Sequence, residues 1–187
     1  TISFPNLRAI PNGPDATLRY GAFGNTGKTR RVRVALNNTQ LEERQMDFYT
    51  DMIRSVSFQS SLLSSGSASV AVTDVQPPKP AGADPYLDRM VLSFIELTYA
   101  REFDFDGKGQ FYFEMEPRTD GYYFEIRNFS SNGIAPVLYD LETQERYTGN
   151  IEQTGLVRFR LNGSSRARKM VVVNQSPAYA APINTLT

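Results

Sequence analysis

Apolar and polar residues alternate along most of this chain, and the stretch 86–102, YLDRMVLSFIELTYARE, sets the pattern. Val91, Ile95, Leu97 and Tyr99 share one parity, Arg89 and Ser93 interrupt that row, and Glu96 and Thr98 take intervening places. A side-chain period of two sends one row to a core and the other to water, so the stretch predicts a long, central antiparallel strand. Residues 16–23 (ATLRYGAF) predict a shorter strand, with a turn at Gly24, Asn25, Thr26 and Gly27, where glycine tolerates positive φ. In 28–37 Val32, Val34 and Leu36 point one way, and Arg31, Arg33 and Ala35 the other. The segments 16–23 and 29–37 therefore read as a hairpin.

Residues 41–53 are the one place where a helix competes. Leu41, Gln45, Phe48 and Met52 have helical spacing, while Met46, Phe48 and Thr50 alternate. The hairpin-rich surroundings favour strand. A short strand follows at Val56 and Phe58, then a serine-rich turn at 60–65 ending at Gly66, then a strand over 68–75 with Val70 and Val72 on one face. The stretch 77–85 holds Pro77, Pro78, Pro80 and Pro85 and reads as a loop crossing between sheets, with a domain sub-boundary as the alternative. Beyond 102, a turn is expected at 104–109 and strands at 110–116 and 121–129 around a turn at 117–120. A strand over 136–147 bends near Asp140, and further strands cover 155–162 and 168–175. Phe111, Phe113 and Met115 form one side of 110–116; Tyr122, Phe124 and Ile126 oppose Tyr123, Glu125 and Arg127; Val157, Phe159 and Leu161 oppose Leu156, Arg158 and Arg160. The proline- and alanine-rich 176–187 reads as a linker leading out. The expectation is an all-β, antiparallel, jelly-roll-like sandwich of nine or ten strands, with residues 1–187 as one domain.

Composition narrows the chemistry. The chain has 187 residues, 20 basic and 20 acidic, with no Cys and no His. That removes disulfides, thiolate ligands, a cysteine nucleophile and the usual general base near neutral pH. Balanced charge gives no field favouring nucleic acid. No apolar run approaches the ~20 residues of a membrane helix, and no signal-like segment opens the chain, so a mature product or an excised piece is expected.

Individual motifs read as structure. Residues 22–29 (AFGNTGKT) approximate a phosphate loop with Ala22 in place of the first glycine, but the next segment alternates as a strand where a helix is required, so a hairpin turn is preferred. Asp104, Asp106 and Gly107 resemble the start of a calcium loop, with Glu114 and Glu116 the only downstream carboxylates and both on a strand. Glu42/Glu43 and Glu114/Glu116 are the carboxylate pairs that a glycosidase would need, here on alternating solvated faces. Tyr20, Tyr112, Tyr122 and Tyr139 are the candidate exposed rings for a glycan face, against core packing as the alternative. Sequons stand at Asn37, Asn128 and Asn162. No catalytic, metal or cofactor position is assigned.

The strands of 86–116, with YYFEIRNFSSNGIAPVLYDLETQERY over 122–147, resemble the β domain that precedes the peptidase domain in the gingipain-like sortases of the type IX secretion system. A family strand of the form Leu-Asp-x-x-x-Leu-x-Tyr-x-Arg is matched loosely by Leu87, Asp88, Leu97, Tyr99 and Arg101. A family strand ending Val-x-Asp-Val-Thr resembles Val137, Leu138, Tyr139, Asp140, Leu141, Glu142 and Thr143. The resemblance spans about 16–175. It implies a module of an exported protein at the cell surface or outer membrane, whose parent removes a C-terminal signal from secreted cargo with a Cys assisted by a His. This chain has neither residue. The implied role is therefore non-catalytic: support for a downstream peptidase domain of the same polypeptide and contacts with other secretion proteins. Two rival readings from the residues are a carbohydrate-binding module and an adhesin or pilus subunit.

Overall fold

The computed structural model describes residues 1–75, 82 and 89–179, and its chain divides into two compact units, Thr1–Glu102 and Phe103–Thr187. The division falls after Glu102, not in the proline-rich stretch, most of which (77–81 and 83–85) lies outside the described residues, as do Leu87 and Asp88. The sequence reading takes 1–187 as one domain; each of the two units has its own core. Among the described residues the nine or ten expected strands become thirteen.

The first unit holds β1 (Ile2–Phe4), β2 (Ala16–Gly24), β3 (Arg30–Leu36), β4 (Thr39–Met46), β5 (Asp51–Phe58), β6 (Ala68–Asp74) and β7 (Met90–Thr98). They form two antiparallel sheets, ordered β1-β6-β3-β4 and β5-β2-β7, around one shared core. Alternation places the core faithfully: Val32, Val34 and Leu36 of β3 and Ala16, Leu18, Tyr20 and Ala22 of β2 are all buried. The expected hairpin does not form. β2 pairs with β5 and β7, whereas β3 pairs with β4 and β6 in the other sheet. The link between them crosses the sandwich around Arg30, which is fully buried. Its guanidinium donates to Thr26 Oγ1 at 2.8 Å and to the carbonyls of Lys28 and Phe48, both at 3.1 Å.

The helix/strand competition at 41–53 resolves as strand: β4 and β5 meet at a turn where Phe48 takes φ 47° and the Asp47 carbonyl accepts the Thr50 N–H at 3.1 Å. The opening stretch supplies β7, but among the described residues β7 is the edge of its sheet and β2 is the centre. A bulge opposite Gly21/Ala22 leaves Ser93 unpaired. Ile95, Leu97 and Tyr99 pack on the core as expected, together with Met90 from beyond the bulge, while Val91 is 49% exposed. One extra residue has reversed the parity.

The second unit holds β8 (Gln110–Met115), β9 (Tyr122–Arg127), β10 (Val137–Asp140), β11 (Arg146–Thr148), β12 (Leu156–Leu161) and β13 (Arg168–Val173). Its sheets are β11-β10-β13-β8 and β12-β9, again with antiparallel pairing throughout. The core is aromatic. Phe105 stacks on Phe111 at 4.2 Å and Phe103 on Phe124 at 4.9 Å, with Phe113 edge-on to Phe103 at 5.3 Å. The expected strand over 136–147 is a hairpin of β10 and β11, turning at Asp140. The expected outgoing linker begins as a short 3-10 turn, Pro177–Tyr179, whose Tyr179 ring lies so close over Gly109 that a Cβ there would meet it at 2.4 Å.

Candidate binding surfaces

Several of the polar groups singled out in the sequence are engaged in structure, whereas Glu114 and Glu116 are exposed as expected. Residues 22–29 form the link around Arg30, with no helix after them, so nothing aligns amide groups on a phosphate. The Asp104 carboxylate accepts the Asp106 N–H at 3.1 Å and the Asn128 side-chain amide at 2.8 Å, and among the described residues no three acidic side chains gather to hold a metal. Asn37, at φ 47°, spends its amide on the Leu62 carbonyl and the Ser69 N–H. Asn37 and Asn128 therefore fix local turns.

Glu42 is not solvated as expected: its side chain is 12% exposed and accepts from the Tyr20 hydroxyl at 2.8 Å, Arg44 at 2.5 Å and Arg54 at 3.0 Å. Burial acts to raise its pKa, but hydrogen bonds from Arg44, Arg54 and Tyr20 together win and hold it below the ordinary carboxylate value. The Tyr20 hydroxyl is pushed upward, first by burial and then by the bond to Glu42. Glu43 is paired with Arg31 at 2.7 Å and Arg33 at 2.9 Å. A permanently charged, ion-paired carboxylate has no proton to exchange near neutral pH, so these groups brace strands.

The second unit repeats the device deeper. Arg168 donates to Asp140 at 2.5 Å, to the Asn162 carbonyl at 3.0 Å, to Glu145 at 3.1 Å and to the Tyr147 hydroxyl at 3.0 Å. Asp140 also accepts the N–H groups of Glu142 and Thr143, tying the β10–β11 turn. Desolvation would raise the Asp140 pKa, yet those amides and Arg168 bring it below the usual value. Nothing in the sequence separated this buried arginine from its exposed neighbours.

Among the described residues, two sheet faces carry exposed apolar or aromatic side chains in adjacent or shared cross-strand rows. The first is the outer face of β5-β2-β7. Phe23 and Val91 stand directly opposite each other, and Ile53, Gly21 and Phe94 form the next rung. Phe23 is 39%, Val91 49% and Ile53 56% exposed, and Arg19 stacks over Phe94 at 4.8 Å. Phe48 and Tyr49, also exposed, occupy the adjoining β4–β5 turn, tied to this end of β2 by the Gly24 N–H donating to Thr50. Neighbouring large apolar residues left in water mark an interaction site. The parity of β2 made Phe23 legible as outward; the bulge hid Val91.

The second is the outer face of β11-β10-β13-β8. Of the four candidate rings, Tyr20 and Tyr122 are buried, the latter donating its hydroxyl to the Glu116 carbonyl at 2.7 Å. Both share parity with core residues of their strands. Tyr112 and Tyr139 are exposed, and the register places them in one cross-strand row, Arg146–Tyr139–Val171–Tyr112. Tyr123, equally exposed, lies on the β12-β9 sheet and was not singled out in the sequence.

No protein-family model matches the chain, and no curated protein matches it. A solved structure does: dimeric latent PorU from Porphyromonas gingivalis, with a TM-score of 0.62 and 11% identity over 96% of this chain and 18% of that one. The likeness shows a shared fold. The chain spans less than a fifth of PorU's length. No helix of the described residues is long and apolar enough to cross a membrane.

Proposed function

We propose that this chain is a non-catalytic β module of a type IX secretion sortase of the PorU kind, bracing the peptidase domain and making protein contacts at the outer membrane of an exported protein. The observation that carries the reading is the fold shared with PorU over 96% of this chain. The strand pattern of the gingipain-like family supports it independently. So does the absence of Cys and His, which leaves the sortase nucleophile and base to another domain. The apolar outer face of β5-β2-β7 suits protein docking. The test is made in the native gene: Phe23→Ser, Ile53→Ser and Val91→Ser are introduced together in the full-length protein, and removal of the cargo's C-terminal signal is followed. The expected result is normal levels of the protein with cargo left unprocessed. Normal processing by the triple variant would remove the docking role. A reading frame with no Cys/His peptidase domain would remove the sortase assignment itself.

A further inference from the structure

We propose that the outer face of the β11-β10-β13-β8 sheet is a binding platform for a linear, β-linked oligosaccharide, with Tyr112 and Tyr139 as its two stacking rings. The register fixes the geometry. Tyr112 on β8 and Tyr139 on β10 lie in the same row with Val171 of β13 between them, so two strand spacings, about 9.5 Å, separate the two backbones. Alternation guarantees the direction of both rings: Phe111 and Phe113 flank Tyr112 and pack on the core, and Leu138 and Asp140 flank Tyr139 and are buried. Val171 between them is buried, so the two rings are the apolar groups that the row presents.

Hydrogen-bonding groups bracket the rings. Gln110 and Glu114 precede and follow Tyr112 by two residues on the same face, and Gln110 donates to the Tyr112 hydroxyl at 2.8 Å, which fixes the ring. Exposed Arg146 stands opposite Tyr139, and Lys169 stands opposite Glu114. Rings interleaved with amide, carboxylate and cationic groups distinguish this face from the purely apolar one on the first unit. A pyranose presents the same duality, an apolar C–H face for an aromatic ring and a rim of hydroxyls for polar side chains. Two rings set apart on an open sheet suit alternate sugars of an extended chain, which β-linkage provides and a coiled α-linked chain does not. This inference does not depend on the sortase reading.

The test uses the 187-residue protein and titrates cellohexaose, mannohexaose and chitohexaose, with maltohexaose as the α-linked comparison, following amide chemical shifts. At least one β-linked hexasaccharide is expected to move the amides of Tyr112, Tyr139 and Val171 with single-site behaviour. Tyr112→Ala and Tyr139→Ala should each weaken that binding about tenfold, the worth of one aromatic contact at the upper end of its range. Tyr112→Phe should retain most of it, and Tyr123→Ala all of it. Both rings are exposed, so the alanine variants should keep the parent's thermal unfolding. No binding by any β-linked chain at millimolar concentration, or binding unchanged in the double alanine variant, would overturn the platform. Loss of self-association in that variant, without any sugar binding, would make the face a protein interface and overturn it equally.

Discussion

Arg168 shows how one residue can organise a turn that its sequence context does not announce. Its side chain is 3% exposed and that of Asp140 is fully buried, so the pair has left water and depends on its own geometry. Removing one partner strands the other charge. Arg168→Met is therefore expected to lower unfolding free energy by about 3–5 kcal/mol, read as a shift in urea midpoint with unchanged slope. The same pair sets an acid limit. The folded Asp140 pKa lies below its unfolded value, so the stabilisation is complete above about pH 4 and fades as the pH falls through the depressed folded pKa. The acid destabilisation that Asp140 contributes should vanish in Asp140→Asn, which a urea series between about pH 5 and 2 would reveal. Gly24 makes the complementary point about space. A Cβ there would stand 2.0 Å from the Phe48 carbonyl oxygen and 2.1 Å from the Arg30 guanidinium. Since the carbonyl belongs to the backbone, Gly24→Ala should cost about 1–3 kcal/mol and free Arg30 from Phe48; an unchanged melting temperature would contradict that.

At the scale of elements, alternation was the readable signal, and it settled faces but not partners. β3, β9 and β12 bury the rows that their sequences mark. The pairing of β2 was misread because a glycine-rich turn beside two alternating segments resembles a hairpin, whereas the buried guanidinium of Arg30 draws the link across to the other sheet. Turn chemistry concealed a core residue as well: DFDGKG has the polar punctuation of a surface loop, yet Phe105 within it is fully buried. The candidate rings were half legible. Tyr20 shares the parity of Leu18 and Ala22 and belongs inside, but which face of β8 or β10 would be open depends on strands far away in sequence. The bulge in β7 is testable directly. Deleting Ser93 joins Leu92 directly to Phe94 and makes the ladder continuous, so Leu92 opposite Ala22 and Met90 opposite Gly24 keep their core-facing side and Val91 stays outward opposite Phe23. The loss in chemical unfolding should therefore stay below about 1 kcal/mol, as for Ser93→Ala, and a loss of several kcal/mol would show that the bulge itself is needed.

For the whole molecule, the division into two units was the least legible feature. Proline concentrates at 77–85, so punctuation pointed there, while the boundary after Glu102 lies within the unpunctuated run REFDF. What marks the boundary physically is packing. Among the described residues, one core draws on residues from Phe4 to Tyr99 and the other on residues from Phe103 to Val172. Phe105 lies at the heart of the second, in contact with Phe103, Phe111, Phe113 and Phe129. Phe105→Ala should cost that unit about 3–5 kcal/mol through lost burial and the cavity left behind. If each core closes on itself, hydrogen exchange will locate the damage: amides of β8, β9, β12 and β13 should exchange faster, while those of β2 and β3 keep the parent's protection. Equal acceleration across both sets of strands would instead mean that the two cores unfold as one cooperative body, and the boundary after Glu102 would then carry no energetic weight.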